Sequence, residues 1–106
     1  MNRLQDRVAL ITGAGAGIGK GVARRFAAEG ASLWLADINA ETCAAAAQEI
    51  SEEFGVQVGY SAADVSEHAA VQTMVDAALA HFGRVDILVN NAWGRRPGAK
   101  PGFAQV

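Results

Sequence analysis

Short apolar runs alternate along this chain with stretches of helical period, and glycines stand at most of the changeovers. Residues 7–12, RVALIT, make the first run, with Val8, Ile11 and Thr12 β-branched, and predict a strand. Ile18, Val22 and Phe26 then recur at i, i+4 and i+8 between Lys20, Arg24, Arg25 and Glu29, which predicts an amphipathic helix ending near Gly30. SLWLAD, 32–37, predicts a second strand. Asn39 is a plausible N-cap for an alanine-rich helix from 40 to about 54 that stops at Gly55. VQVGYSA, 56–62, alternates like a third strand. Ser66 can cap a third helix, in which Val71, Met74, Val75, Ala78, Leu79 and Phe82 give a 3–4 spacing that ends at Gly83. VDILV, 85–89, reads as a fourth strand.

The order β-α-β-α-β-α-β, with one helix between successive strands, implies parallel strands joined by right-handed crossovers. The first strand is apolar on both faces, as a sheet covered by helices on both sides requires. The expected fold is a partial Rossmann-type, doubly wound α/β sheet in the order 3-2-1-4, with a ligand crevice where the winding reverses. Residues 1–93 form this half-domain. Residues 94–106, GRRPGAKPGFAQV, contain both prolines and read as a loop or disordered tail.

Composition narrows the function classes. The 106 residues suffice for one core, and 51% hydrophobic with 19% charged is ordinary for a globular domain. The net charge of −2 divides into −5 for residues 1–93 and +3 for the tail. Three basic residues are few for a nucleic-acid arm, so no nucleic-acid partner is expected. No apolar run has the length of a membrane span or a signal segment, and Cys43 is the only cysteine. A cytoplasmic protein without a membrane partner is the expectation. His68 and His81 lie thirteen apart on a helix surface, read as solvated, and make no metal or triad constellation.

The chemistry concentrates in LITGAGAGIGKG, 10–21, which places five glycines between Gly13 and Gly21. The spacing G-x-G-x-x-G is absent. The spacing present is Thr12-Gly13-x-x-x-Gly17-Ile18-Gly19. Gly13 would let the chain turn sharply out of the strand. Gly17 would leave no Cβ between the backbone and a pyrophosphate, and Gly19 would let the first helical turn approach the strand. The helix N-terminus then offers free N–H groups and a positive dipole end to phosphates. A glycine-rich turn without a ligand is the competing reading, but five glycines cost conformational entropy that a plain turn does not require.

With these residues in place, the sequence resembles the short-chain dehydrogenase/reductase family over about residues 5–94. TGAGAGIG looks like its cofactor loop, ADV (63–65) like its adenine-contact segment, and NNA (90–92) after VDILV like its second signature. The resemblance implies a dinucleotide site built from Gly13, Gly17, Ile18, Gly19, Asp37, Asp64, Val65, Asn90 and Ala92. Asp37, eighteen residues past Gly19, would accept from both adenosine ribose hydroxyls and repel a 2′-phosphate. Neither Ala16, before Gly17, nor Ile38, after Asp37, is basic, so NAD is expected in preference to NADP. The resemblance puts Asp64 and Val65 at the adenine and Asn90, Asn91 and Ala92 along the ribose and crevice floor. The plainer alternatives are a helix-start carboxylate for Asp37, a loop cap for Asp64 and an Asx turn for the asparagines. The family usually continues Asn-Asn-Ala-Gly, whereas this chain has Trp93 before Gly94.

The family transfers hydride between the nicotinamide and an alcohol or ketone, using a tyrosine with a lysine four residues on. The one tyrosine here, Tyr60, has Asp64 at that position and lies in the third strand, where it is expected to pack. No catalytic residue is therefore assigned. The chain reads as the N-terminal, cofactor-holding half of such an enzyme, inactive alone, whether as a cut, frameshifted or natural short form. A non-catalytic NAD-binding module or a defective product is the alternative. One helix facing four strands should leave Leu33, Trp34 and Leu35 partly exposed, and the fourth strand as an open edge should drive self-association or pairing with a C-terminal half.

Overall fold

A computed structural model describes residues 3–15, 17–62 and 68–90. Four strands, β1 (Val8–Thr12), β2 (Ser32–Asp37), β3 (Val58–Ala62) and β4 (Ile87–Asn90), alternate with three helices, α1 (Gly17–Ala28), α2 (Ala40–Phe54) and α3 (His68–Phe82). The strands form one parallel sheet in the order β3-β2-β1-β4. All four strands and three helices occur where the hydrophobic pattern places them. β1 and β3 start one and two residues later than the sequence predicts, and β4 is shifted to end on Asn90.

Register assigns the two faces. Ala9 pairs with Leu33 and Ile87, and Ile11 with Leu35 and Val89. These side chains share a buried cluster with Ala23 and Ala27 of α1 and Cys43, Ala46, Ala47 and Ile50 of α2. The opposite face holds Leu10, Ala36 and Leu88 against Met74 and Ala78 of α3. Two helices thus cover one face and one the other, as right-handed crossovers dictate.

The helix faces differ from the expected stripes. α1 buries Gly19, Ala23 and Ala27, one residue along from Ile18, Val22 and Phe26. The small residues let the helix axis approach β1 and β2, while Val22 and Phe26 flank the contact half-buried and Ile18 is 77% exposed. Likewise α3 buries Met74 and Ala78 but leaves Leu79 42% exposed.

The thinly covered face is also better sealed than expected. Leu33 and Leu35 belong to the well-covered face and are fully buried. Trp34 alone turns to the α3 side. Its Nε1 donates to Ser61 Oγ at 3.0 Å, and its ring lies against His81 (centroids 5.7 Å apart) and edge-on to Phe82 at 6.4 Å. His81 is therefore a stacking partner as well as an exposed side chain. Tyr60, expected to pack, is 46% exposed on β3.

The ends of the elements are secured by local chemistry. Asn39 caps α2, its Oδ1 accepting from the N–H groups of Glu41 (3.0 Å) and Thr42 (3.1 Å). Gly55 and Gly83 close α2 and α3 in the left-handed region, at φ 69° and 80°. Arg24 of α1 meets Glu53 of α2 through two parallel N–H···O bonds of 2.6 and 2.8 Å, lies over the Phe54 ring, and with Lys20 also reaches Glu49. At the N-terminal edge of the sheet Asp86 Oδ2 accepts from the Val8 N–H at 2.8 Å while the Asp86 N–H donates to Val8 O at 2.8 Å. That exchange pins β4 to β1. Ser66, the expected cap of α3, and the 94–106 tail lie outside the described residues.

Candidate functional site

The C-terminal ends of β1, β2 and β4 adjoin, with Thr12 in register with both Ala36 and Asn90. β1 leads left to β2 and its neighbour β4 lies on the other side, so this is the point where the winding reverses and a crevice opens above the strand ends.

The glycine loop crosses that crevice. Gly13 leaves β1 at φ 63°, a conformation that side chains disfavour, and turns the chain towards β2. Ala14 N–H then donates to Ala36 O at 3.3 Å, and Gly15 N–H to Asp37 Oδ2 at 2.9 Å. Gly17, again at φ 63°, starts α1, and a Cβ placed on it would meet, among the described residues, nothing within 4 Å beyond its chain neighbours and its own helix backbone. The turn at Gly17 is therefore open among the described residues. α1 is 12 residues long with no acidic side chain in its first turn, so nothing competes with an incoming anion for its positive end. Gly19 is buried towards the strands and Ile18 stands exposed beside the opening.

Asp37 ends β2 half-buried, with both carboxylate oxygens held by backbone donors: Oδ2 by Gly15 and Oδ1 by the Asn39 N–H at 3.2 Å. A carboxylate fixed on two sides is presented to the crevice without reorganisation when hydroxyl donors arrive. Behind it, Cys43 is fully buried, and burial, followed by the negative charge of Asp37, pushes its thiol up to about 11. A thiol so placed is an inert packing group at neutral pH. On the other side of β1, Thr12 Oγ1 lies 3.0 Å from Asn90 Oδ1 and donates to it, which turns the Asn90 amide oxygen inward and leaves its NH₂ end for other partners.

The structure thus brings together Gly13, Gly17, Ile18, Gly19, Asp37 and Asn90 around one opening. Asp64, Val65 and Ala92, with Asn91 and Trp93, lie outside the described residues. Two contributors escaped the sequence reading. Gly15 was one of five glycines and the spacing gave it no role. Thr12 supplied the start of the loop motif, but nothing in the sequence announced its contact with Asn90. Tyr60 stands on β3, two strands away from Thr12.

A second concavity runs along the outer side of α2, about 500 Å³, lined by Ala45, Gln48, Glu49, Glu52 and Glu53. Its three carboxylates make it hostile to a diphosphate. Among the described residues no group of His, Cys, Asp and Glu could hold a metal ion, and no helix is long and apolar enough to cross a membrane.

Comparison with known proteins agrees with this geometry. The family model described as short chain dehydrogenase matches residues 7–103. D-threitol dehydrogenase of Mycolicibacterium smegmatis is 46% identical over 90 residues, which is 85% of this chain and 34% of that protein. Among solved structures, L-sorbose reductase from Gluconobacter frateurii complexed with NADPH and L-sorbose superposes with a TM-score of 0.82 at 40% identity, over 87% of this chain and 35% of that one. NAD+-bound xylitol dehydrogenase gives 0.80 at 38% identity, over 85% and 34%. The chain spans about a third of the length of these relatives. A parallel 3-2-1-4 sheet, a glycine loop running into a helix, and a family match across nearly the whole sequence agree: this chain belongs to the short-chain dehydrogenase family of oxidoreductases.

Proposed function

We propose that the chain holds the adenosine and pyrophosphate of NAD for an oxidoreductase that moves hydride between the nicotinamide and an alcohol or ketone. The observation that carries this is the convergence of the open Gly17 turn and the α1 N-terminus with the fixed Asp37 carboxylate at adjoining strand ends. The N–H groups at the start of α1, from Gly17 to Gly19, would take the pyrophosphate. Asp37 would accept from the adenosine ribose hydroxyls, and Asn90 would face the ribose from the β4 side. Asp64, Val65 and Ala92 would complete the adenine end and the crevice floor. The bound dinucleotide supplies the hydride acceptor; the residues here bind and orient it.

The two solved relatives are described with different cofactors, NADPH and NAD+, so the choice falls to this chain's own residues. Asp37 favours NAD, because a carboxylate that accepts from two hydroxyls opposes a phosphate dianion at the same place. Ala16 and Ile38 supply no compensating cation. Calorimetry should find NAD bound more tightly than NADP, with the gap narrowed in Asp37→Ala. Equal affinities in the unaltered chain would remove the reading of Asp37.

Tyr60 is on the wrong strand to serve as the proton donor, so this 106-residue chain is proposed to form no NADH by itself when the same samples receive secondary alcohols. It is further proposed to self-associate or to pair with a C-terminal half, because β4 is an edge of the described sheet and presents unpaired N–H and C=O groups. Sedimentation at low concentration should show species larger than the monomer, and a sharp monomer would oppose this.

A further inference from the structure

Gly15 has no place among the three glycines whose spacing suggests a role, and its conformation does not require glycine, since it is not one of the glycines with positive φ. What requires it is space. A Cβ on Gly15 would stand 2.9 Å from Asp37 Oδ2 and 2.7 Å from Thr42 Oγ1, with Thr42 Cβ at 3.3 Å. The first two separations are closer than Cβ atoms come in practice, so something must move. Thr42 is on the first turn of α2, its backbone N–H held by the Asn39 cap and its hydroxyl 3.3 Å from Asn39 O. The Asp37 carboxylate is the free end of a side chain, fixed among the described residues by the Gly15 and Asn39 N–H groups. It is the group that yields.

We infer that Gly15 is a cofactor-selectivity residue that acts by holding the Asp37 carboxylate in position. The inference rests on the reading of this crevice as an NAD site. With alanine at residue 15 the carboxylate swings off the Gly15 N–H and leaves the place where ribose hydroxyls would meet it. The open Gly17 turn and the α1 N-terminus keep their geometry, because a Cβ at residue 15 meets neither among its three nearest atoms. Affinity for NAD then falls, while affinity for NADP, whose 2′-phosphate the Asp37 carboxylate opposes, is kept or rises. Thr42→Ala removes the nearest atom and lets a Cβ at residue 15 shift towards α2 and away from Asp37 Oδ2, although the Cβ at residue 42 still stands close at 3.3 Å, so it relieves part of the crowding.

The test is calorimetric titration of NAD and of NADP into the unaltered chain, Gly15→Ala, Thr42→Ala and Gly15→Ala/Thr42→Ala, each with a thermal melt. Gly15→Ala should lose about tenfold in NAD affinity, the scale of one hydrogen bond to a charged group, with NADP affinity unchanged or raised. Thr42→Ala should match the unaltered chain, and the double variant should recover part of the loss. Equal weakening of both cofactors, an unchanged ratio, or a Gly15→Ala chain that does not fold would each overturn the inference. Hydrogen exchange at the Gly15 amide gives an independent arm. It should stay slow in Asp37→Asn, which keeps an acceptor oxygen, and become fast in Asp37→Ala; no difference between the two overturns the hold itself. An unaltered chain that binds neither cofactor removes the reading of the crevice, and one with no preference between them removes the reading of Asp37, the inference going with either. A clear preference that Gly15→Ala leaves intact removes only the inference.

Discussion

Gly59 of β3 lies beneath the Trp34 ring, and a Cβ there would run into the ring's six-membered carbons. The glycine therefore lets one indole lie flat across two strands and do on the thin face what a second helix does on the other. Gly59→Ala should force the ring away from Ser61 and Phe82, at a cost of about 1–3 kcal/mol, the usual range for overpacking. That corresponds to roughly 4–8 °C in thermal midpoint for each kcal/mol in a domain of this size. A midpoint equal to that of the unaltered chain would show that the ring is not confined by β3. At this scale the sequence was least legible. The run Leu33-Trp34-Leu35 pointed to exposed apolar surface, but alternation sends the two leucines to the well-covered face, and only the ring contacts show where Trp34 goes. Gly15 was hidden for a related reason: its role lies in the distance to Asp37 and Thr42, residues more than twenty positions away.

At the scale of elements the reading was mostly sound, because each strand is a short apolar run and each helix ends one or two residues before a glycine at positive φ, Gly30, Gly55 or Gly83. It failed on the faces of α1 and α3. Periodicity weighs large apolar residues, whereas the closest helix–sheet contact is made by the smallest ones, Gly19, Ala23 and Ala27. The joint between β1 and β4 was also missed, since nothing in VDILV marks Asp86 as the partner of the Val8 backbone. Its carboxyl is held below the usual carboxylate range, first by hydrogen bonds from the Arg84 guanidinium and then by the Val8 N–H. A carboxyl whose folded value is lowered stabilises the fold at neutral pH. That contribution starts to fall below about pH 4, the ordinary value, and is gone once pH has passed below the folded value. Stability measured by denaturant titration should therefore drop with acid more steeply in the unaltered chain than in Asp86→Asn, and parallel curves would contradict the assignment.

For the whole molecule, the doubly wound order makes the site before any side chain is considered. Reversal of winding at β1 opens the crevice, parallel strands aim their C-terminal ends into it, and the loops that follow β1 and β2 meet there. The topology was legible from the alternation of apolar runs and helical periods, and the glycine turn from its spacing, because both are local signals. Asp64, Val65 and Ala92 remain expectations carried by the resemblance, since the structure does not describe them. The central claim is that this crevice, and not the acidic groove along α2, receives the dinucleotide. Backbone amide resonances recorded during addition of NAD test it most directly. The account predicts shifts at Gly13, Gly15, Gly17, Gly19, Asp37 and Asn90, with Gln48, Glu49, Glu52 and Glu53 unmoved; shifts confined to α2, or none at saturating NAD, would contradict it.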